Sequence, residues 1–214
     1  MRALVLVVVL LLLGCATIHN PLSATDVAQL RIESVDITVR PDAVIHWARA
    51  EQEFAATHAS QQANKPKRVS AVNPNETGHA AVGGTSEYDA LVASPEAKAF
   101  MRHKLVGMVD GRMKSDVVPL LQGTRGVRLQ IEIVSFVIPS ALQRAVIGGT
   151  PIFAAITTLK DAKTGVELAK LDQGTSAMAG NGLIGVLVDQ AFSDLEERLM
   201  NTYVEQVRSW LLRK

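Results

Sequence analysis

Apolar and polar residues alternate along two stretches of the chain, and this period of two predicts β-strands. In residues 32–39, three β-branched residues alternate with short polar ones, and Pro41 is expected to end the strand. In residues 127–133, four aliphatic residues alternate with Arg, Gln and Glu, and the strand is expected to continue toward Ile138. Each strand is therefore expected to have one buried face and one polar face.

A third and a fourth strand are expected to pair as a hairpin. Residues 152–159 follow Gly148-Gly149, and residues 166–171 return after the segment Asp161-Ala162-Lys163-Thr164-Gly165. That segment has the composition of a tight turn, in which the glycine can adopt a positive φ. Residues 127–171 are therefore predicted to form an antiparallel unit.

Two helices are expected between the first and second strands. Asp42 can cap a short helix that runs to about Ala56. The second helix begins at Ser94-Pro95, a capping residue followed by proline at the first helical position, and it ends before Pro119. Its apolar face has helical spacing and consists of Ala97, Met101, Leu105, Met108 and Val109.

A third helix is expected at the end of the chain, where Ser193-x-x-Glu196 forms a capping box. Its apolar stripe consists of Leu195, Leu199, Tyr203, Val207 and Trp210. The element order predicts an α+β fold: a mainly antiparallel sheet of about four strands, covered on one face by two or three helices.

The domain boundaries follow from changes in composition. Residues 57–86 are rich in small and polar residues and have no sustained apolar period, so we expect a flexible insertion there. Residues 30–214 are predicted to form a single α+β domain that contains this insertion. Residues 15–29, with the turn formers Asn20-Pro21, are expected to act as a tether.

The first 15 residues, MRALVLVVVLLLLGC, have the layout of a bacterial secretory signal. Arg2 supplies the positive charge, and residues 3–13 form an apolar run that is too short to span a bilayer comfortably. The ending LLGC resembles a bacterial lipobox. The resemblance implies cleavage between Gly14 and Cys15, so that residues 1–14 are a signal peptide, and attachment of diacylglycerol and a further acyl chain such as palmitate to Cys15.

The resemblance to lipoprotein signals also implies a location. Several acyl chains on one residue give stable anchoring to a membrane. Ala16 follows the cysteine, whereas an aspartate there is the feature that retains similar lipoproteins at the inner membrane. We therefore expect an outer-membrane protein that faces the periplasm. The alternatives are an ordinary secretory signal or a short membrane anchor, but no A-x-A-like pattern of an ordinary cleavage site precedes Cys15.

Composition limits the partners and the chemistry. The chain has 22 Lys+Arg and 21 Asp+Glu, and removal of the signal takes away Arg2, so the mature chain is neutral. A neutral domain has no broad basic field, and no nucleic-acid partner is expected. The one cysteine lies at the signal junction, so disulfides, thiol nucleophiles and cysteine-ligated metals are excluded from the folded domain.

Residues 180–185 match the letters of a dinucleotide-binding G-x-G-x-x-G motif, but the motif also requires a second parallel strand after the helix. The chain ends too soon for one, so no nucleotide cofactor is expected. The surrounding apolar, small-residue segment is interpreted as internal packing first, a partner surface second and a lipid-contacting loop third. Its candidate contact residues are Leu183, Ile184, Val186 and Leu187.

No catalytic or metal-binding constellation is apparent. The five histidines lack the i, i+2 or i, i+4 spacing of a zinc site, so no metal is expected. Residues 174–178 lack the second glycine of a nucleophile elbow, and the carboxylates are scattered. We therefore predict that the protein is not an enzyme.

The second half of the chain, together with the lipobox, resembles uncharacterised bacterial lipoproteins. The residues that carry this resemblance are the alternating strand 127–133, Phe136, Gly148-Gly149, Asp161-x-x-Thr164-Gly165 and Trp210-Leu211. The resemblance implies a small periplasm-facing α/β module without an assigned activity. Three hypotheses follow: a non-enzymatic module that binds or scaffolds an envelope protein partner, an envelope carrier of lipid or another small ligand, and an envelope hydrolase.

Overall fold

The computed structural model describes residues 20–63, 85–139, 150–176 and 195–213. Within them the elements follow one another as α1 (Ala24–Ala28), β1 (Leu30–Trp47), α2 (Ala48–Ala63), α3 (Thr85–Val92), α4 (Pro95–Asp116), a 3-10 helix (Val118–Leu120), β2 (Arg125–Ile138), β3 (Ile152–Asp161), β4 (Glu167–Ser176) and α5 (Leu195–Leu212). The predicted α+β fold is confirmed.

The four strands form one sheet in the order β1-β2-β3-β4. β2, β3 and β4 are antiparallel neighbours, whereas β1 is parallel to β2. The parallel pairing arises because the helices between β1 and β2 return the chain to the end of the sheet at which β1 began. α4 and α5 contact each other and pack on the sheet, α4 against β1 and α5 against β3 and β4.

The alternation in β2 determines which face of the sheet is covered by helices. Val127, Leu129, Ile131 and Ile133 are fully buried, while the residues between them are exposed or half-buried. On β3, Leu159 lies opposite Leu129 and is buried as well. Full burial of one such aliphatic side chain stabilises the fold by about 1.5–3 kcal/mol, so this strand is a main contributor to the core.

α4 begins and packs as its sequence predicts. Ser94 is the N-cap, and its hydroxyl accepts a hydrogen bond from the Ala97 N–H at 3.1 Å. Four residues of the predicted apolar face are buried, and Met108 packs half-buried against the core. Met113 and Val117 continue the buried stripe to the end of the helix.

The predicted apolar stripe of the last helix is also confirmed, because all five of its residues are buried in α5. Tyr203 packs edge-on against Phe153, with ring centroids 4.6 Å apart. The predicted N-cap, Ser193, lies outside the described residues.

The predicted end of the first strand was wrong, since β1 passes through Pro41 and ends at Trp47. Its pairing with β2 is interrupted between Val39 and Val44, so the proline lies in a bulge of an edge strand, where the missing N–H breaks no ladder bond. Arg102 of α4 holds this bulge: its guanidinium donates to the carbonyls of Val39, Arg40 and Pro41 at 3.0–3.4 Å.

The helix predicted to start at Asp42 instead starts at Ala48 and continues to Ala63. The predicted flexible insertion 57–86 was therefore wrong at both of its ends, because α2 occupies its beginning and α3 starts at Thr85. Alanine and glutamine dominate the last two turns of α2, and both are good helix formers. Residues 64–84 lie outside the described part of the chain.

Candidate functional site

The two ends of the sheet have different neighbours. At the proximal end, defined here as the end where β1 begins, Leu30 pairs with Arg125 and Val127 pairs with Asp161. At the distal end, where β1 finishes, Trp47 pairs with Ile138. β2 has 14 residues, and at roughly 3.3 Å per residue the two ends are about 45 Å apart.

Asn20 attaches the start of the described chain to the proximal end. Only 4 % of its surface is exposed, and its Nδ2 donates to the carbonyl oxygen of Trp210 in the last turn of α5 at 2.9 Å. Its Oδ1 accepts from the Leu22 N–H at 3.0 Å, and the Arg213 guanidinium donates to the Leu22 carbonyl. Asn20 thus satisfies one of the carbonyls that a helix leaves unpaired at its carboxyl end.

α1 extends this attachment. Ser23 and Asp26 form a reciprocal capping box, in which the Asp26 N–H donates to the Ser23 hydroxyl and the Asp26 carboxylate accepts from the Ser23 N–H, both at 3.0 Å. The hydrogen bond from the Ser23 hydroxyl, and then that from its N–H, lowers the pKa of Asp26. Val27 is buried in the core.

The prediction that residues 15–29 are only a tether was therefore wrong for its described part, because residues 20–28 are folded onto the domain. Sequence reasoning missed Asn20, which it interpreted as a turn former. The pattern Ser23-x-x-Asp26 was the available signal that regular structure starts before residue 30.

Gly123 allows the α1–β1 junction to approach the segment that precedes β2. Its N–H donates to the Leu30 carbonyl at 2.7 Å, and a Cβ at this position would overlap the backbone of Gln29 and Leu30. Beside this contact lies a shallow groove of about 200 Å³. Its apolar lining comes from Ala24, Val27, Ala28, Leu120, Leu121 and Leu212.

The β3–β4 turn lies at the same end of the sheet. Asp161 organises it by accepting from the Lys163 and Thr164 N–H groups and from the Thr164 hydroxyl, and Gly165 adopts a φ of 72° as predicted. The Thr164 N–H, followed by Arg125 and then the Thr164 hydroxyl, lowers the pKa of Asp161 to about 2. Val166, which closes the turn by accepting from the Asp161 N–H, is 58 % exposed.

The distal end carries a polar cluster around Trp47. The Trp47 N–H donates to Glu51 Oε1 at 3.2 Å, and the same oxygen lies 2.9 Å from His46 Nδ1. The indole Nε1 donates to Glu196 in the first turn of α5 at 2.7 Å. Both carboxylates lie in the first turn of a helix, where negative charge is favourable, and each accepts from donors of the protein itself.

Lys104 completes this cluster from α4. Its ammonium pairs with Glu53 and lies 5.7 Å from the centre of the Trp47 ring and 5.8 Å from that of Phe100. A cation at this distance is attracted to an aromatic ring. The cluster therefore fastens α2, α4 and α5 to the end of β1.

The space between the sheet and α5 is filled by side chains. Phe136, Phe153 and Tyr203 are fully buried and pack edge to face. The Tyr203 hydroxyl lies 2.6 Å from Thr157 Oγ1. The pKa of Tyr203 is raised, because the effect of burial exceeds the opposite effect of the hydrogen bond to Thr157. A carrier would need an apolar cavity in this space, where these rings are packed.

The predicted site residues lie outside the described part of the chain. These are Gly14 and Cys15 of the predicted lipobox and the candidate contact residues Leu183, Ile184, Val186 and Leu187. His46, His58 and His103 are described, and His46 contacts Glu51. Within residues 20–63, 85–139, 150–176 and 195–213, no three His, Cys, Asp or Glu side chains are grouped so that they could hold a metal ion.

Comparison with known proteins adds one similar structure. No protein-family model matches the sequence, and no curated protein matches it. Lipoprotein GNA1162 from Neisseria meningitidis is 12 % identical, with a TM-score of 0.23, over 77 % of this chain and 98 % of that chain. A likeness at this level carries neither fold nor function to the present protein. Among the described residues, no helix combines the length and apolar character needed to cross a membrane.

Proposed function

We propose that this chain is a lipoprotein of the bacterial cell envelope, anchored through Cys15, whose α+β domain binds or scaffolds an envelope protein without catalysing a reaction. The observation that carries the proposal is the LLGC ending of the apolar run in residues 3–13. Ala16, in place of an aspartate, supports the outer membrane as the membrane that holds the anchor, with the domain in the periplasm.

The position at which the folded domain starts supports a chain made of a lipid anchor followed by a folded domain. Only residues 16–19 separate Cys15 from the buried Asn20. Acylation at Cys15 would therefore join lipid to folded protein almost directly. The non-enzymatic part of the proposal is supported by Glu51 and Glu196, whose carboxylates bind backbone and indole N–H groups at helix starts.

The anchor is tested by comparing Cys15→Ser with Ala16→Ser in the full chain. Cells are fed a palmitate analogue, and the protein is then followed by labelling and by membrane fractionation. The A16S variant keeps the thiol and should be labelled and recovered with membranes. The C15S variant should be unlabelled and should leave the membrane fraction. Equal labelling of both variants would refute acylation at Cys15.

The binding part is tested by photo-crosslinking in intact cells, with a crosslinking residue in place of Val44 or of Val166, which are both exposed. A module that binds or scaffolds an envelope protein should give one discrete crosslinked species at one of these positions. Only diffuse background at both positions, from protein that is correctly anchored, would contradict this part of the proposal.

A further inference from the structure

The distance between the proposed lipid and the folded domain is limited by the covalent chain. Five residue steps separate Cys15 from Asn20, and a fully extended chain covers about 3.3–3.6 Å per residue. Asn20 therefore lies within about 18 Å of an acylated Cys15. This limit is less than half of the estimated distance between the proximal and distal ends of the sheet.

The segment from Asn20 to Val27 is docked on the domain, so it cannot extend and lengthen the covalent connection to Cys15. Asn20 is buried and bonded to Trp210, Leu22 is held through both its N–H and its carbonyl, and Val27 is packed in the core. The point of attachment is therefore the proximal end, where the last turn of α5 meets α1.

The proximal end has side chains suited to a lipid headgroup layer. Val166 is an exposed apolar residue where the β3–β4 turn closes, and Lys163 is exposed within the same turn. Long basic side chains and isolated apolar residues are favourable at such an interface, because the former reach phosphates and the latter enter the acyl boundary. Arg213 is exposed at the same end, where it donates to the Leu22 carbonyl.

The acidic groups of this end are mostly held by local donors. Asp26 accepts from Ser23, and Asp161 accepts from Arg125 and Thr164. Glu33 pairs with Arg31 at 2.8 Å, and Glu167 is exposed on the first residue of β4. The sheet face that no described helix covers is different, because it carries exposed Arg128, Glu132 and Lys170, with charges of both signs.

We infer that the proximal end rests on the lipid headgroups and that the strands stand away from the bilayer, so that the distal end around Trp47 is presented about 45 Å from the membrane. The partner of the proximal surface is a phospholipid layer. This inference rests on the proposed acylation of Cys15. Beyond that acylation, the inference assigns the proximal end to the lipid and leaves the distal end accessible to a protein partner.

The orientation is tested with two exposed valines at different heights. Val166→Cys and Val44→Cys each receive a fluorophore in the full, acylated chain, reconstituted into phosphatidylethanolamine–phosphatidylglycerol vesicles that contain a lipid with a nitroxide on its headgroup. An acylated Cys15 has no free thiol, so the label enters only the new site. Lys163→Cys and Asp42→Cys form a second exposed pair in case either valine variant misfolds.

The expected result is several-fold stronger quenching at positions 166 and 163 than at positions 44 and 42. Equal quenching within each pair would show a domain that lies on its side, and stronger quenching at 44 and 42 would show the reverse orientation; either result overturns the inference. The mass of the purified chain separates these failures from failure of the anchor. Without added acyl mass the proposed function fails, whereas acylated protein with the wrong quenching order refutes the orientation alone.

Discussion

The hydroxyl groups of Tyr203 and Thr157 lie 2.6 Å apart in the core between α5 and the sheet, and both residues are almost completely buried. This hydrogen bond joins the last helix to β3 across an otherwise apolar layer. A buried hydroxyl without a partner costs more than the bond itself contributes. The pair therefore specifies how α5 is placed over the sheet.

Each single removal of a hydroxyl group from this pair should cost more free energy of unfolding than half of the cost of removing both. We expect Tyr203→Phe and Thr157→Val each to cost about 1–3 kcal/mol, because each leaves the other hydroxyl buried and unpaired. The double variant should cost clearly less than the sum of the two. The free energies of unfolding in urea measure this cycle, and strictly additive effects would contradict the hydrogen bond.

Gly123→Ala should destabilise the domain, since a Cβ there would overlap the backbone of Gln29 and Leu30, which cannot move aside as a flexible side chain can. Overpacking of this kind costs about 1–3 kcal/mol or more. Gly111 is the matched control, because a Cβ there meets nothing within 4 Å. Gly111→Ala, at an exposed position in the second half of α4, should stabilise by about 0.5–1 kcal/mol. Equal effects of both substitutions on the midpoint of thermal unfolding would refute the close approach.

Asp161 should make the free energy of unfolding of the domain depend on pH in the acidic range. Its pKa is about 2 in the folded protein against the ordinary value of 3.8, so its ionised form favours folding. That contribution is complete above about pH 4 and is lost as the pH falls toward 2. The difference in unfolding free energy between the parent and Asp161→Asn should therefore be largest above pH 4 and shrink toward pH 2. Asp172→Asn, at an exposed position of β4, is the control, and a difference for D161N that stays constant from pH 7 to pH 2 would contradict the linkage.

Arg102→Met should loosen the bulge of β1. The substitution keeps an apolar stem but removes the donors to the carbonyls of Val39, Arg40 and Pro41. We expect a loss of about 1–2 kcal/mol, and faster amide hydrogen exchange in residues 44–47, where β1 resumes its pairing with β2. Arg49→Met, at an exposed position of α2, should change neither quantity. Unchanged exchange in R102M would show that the bulge does not depend on the guanidinium.

Asn20→Asp should release the segment before α1. The substitution removes the Nδ2 donor and places a negative charge beside the Trp210 carbonyl, at the helix end where negative charge is unfavourable. A broad-specificity protease should then cut residues 19–23 faster, while the rest of the domain stays intact. Gln52→Glu makes the same chemical change at an exposed position of α2 and should leave the cleavage pattern unchanged. Cleavage of N20D at the parental rate would contradict the docking.

Local patterns predicted much of the fold because they report local physics. The alternation in residues 127–133, the Ser94 cap and the stripe of the last helix each arise within a few residues, and all three were confirmed. The same reasoning failed at Pro41. A proline interrupts a strand only where the sheet needs a backbone N–H at that position. Whether it does depends on the edge position of β1 and on its bulge, which are consequences of the whole sheet.

By itself the sequence predicted the four strands and the long helices α4 and α5, and its first 15 residues resemble a lipoprotein signal that implies an anchor at Cys15. Tertiary structure alone decided that Asn20 is bonded to Trp210, which is 190 residues away in the chain, and that Thr157 meets Tyr203. Neither pairing has a local signature, because the residues that satisfy a buried polar group are selected by the packing of distant elements. The proposed orientation at a membrane rests on the first of these contacts, between Asn20 and Trp210, and therefore could not be inferred from the sequence alone.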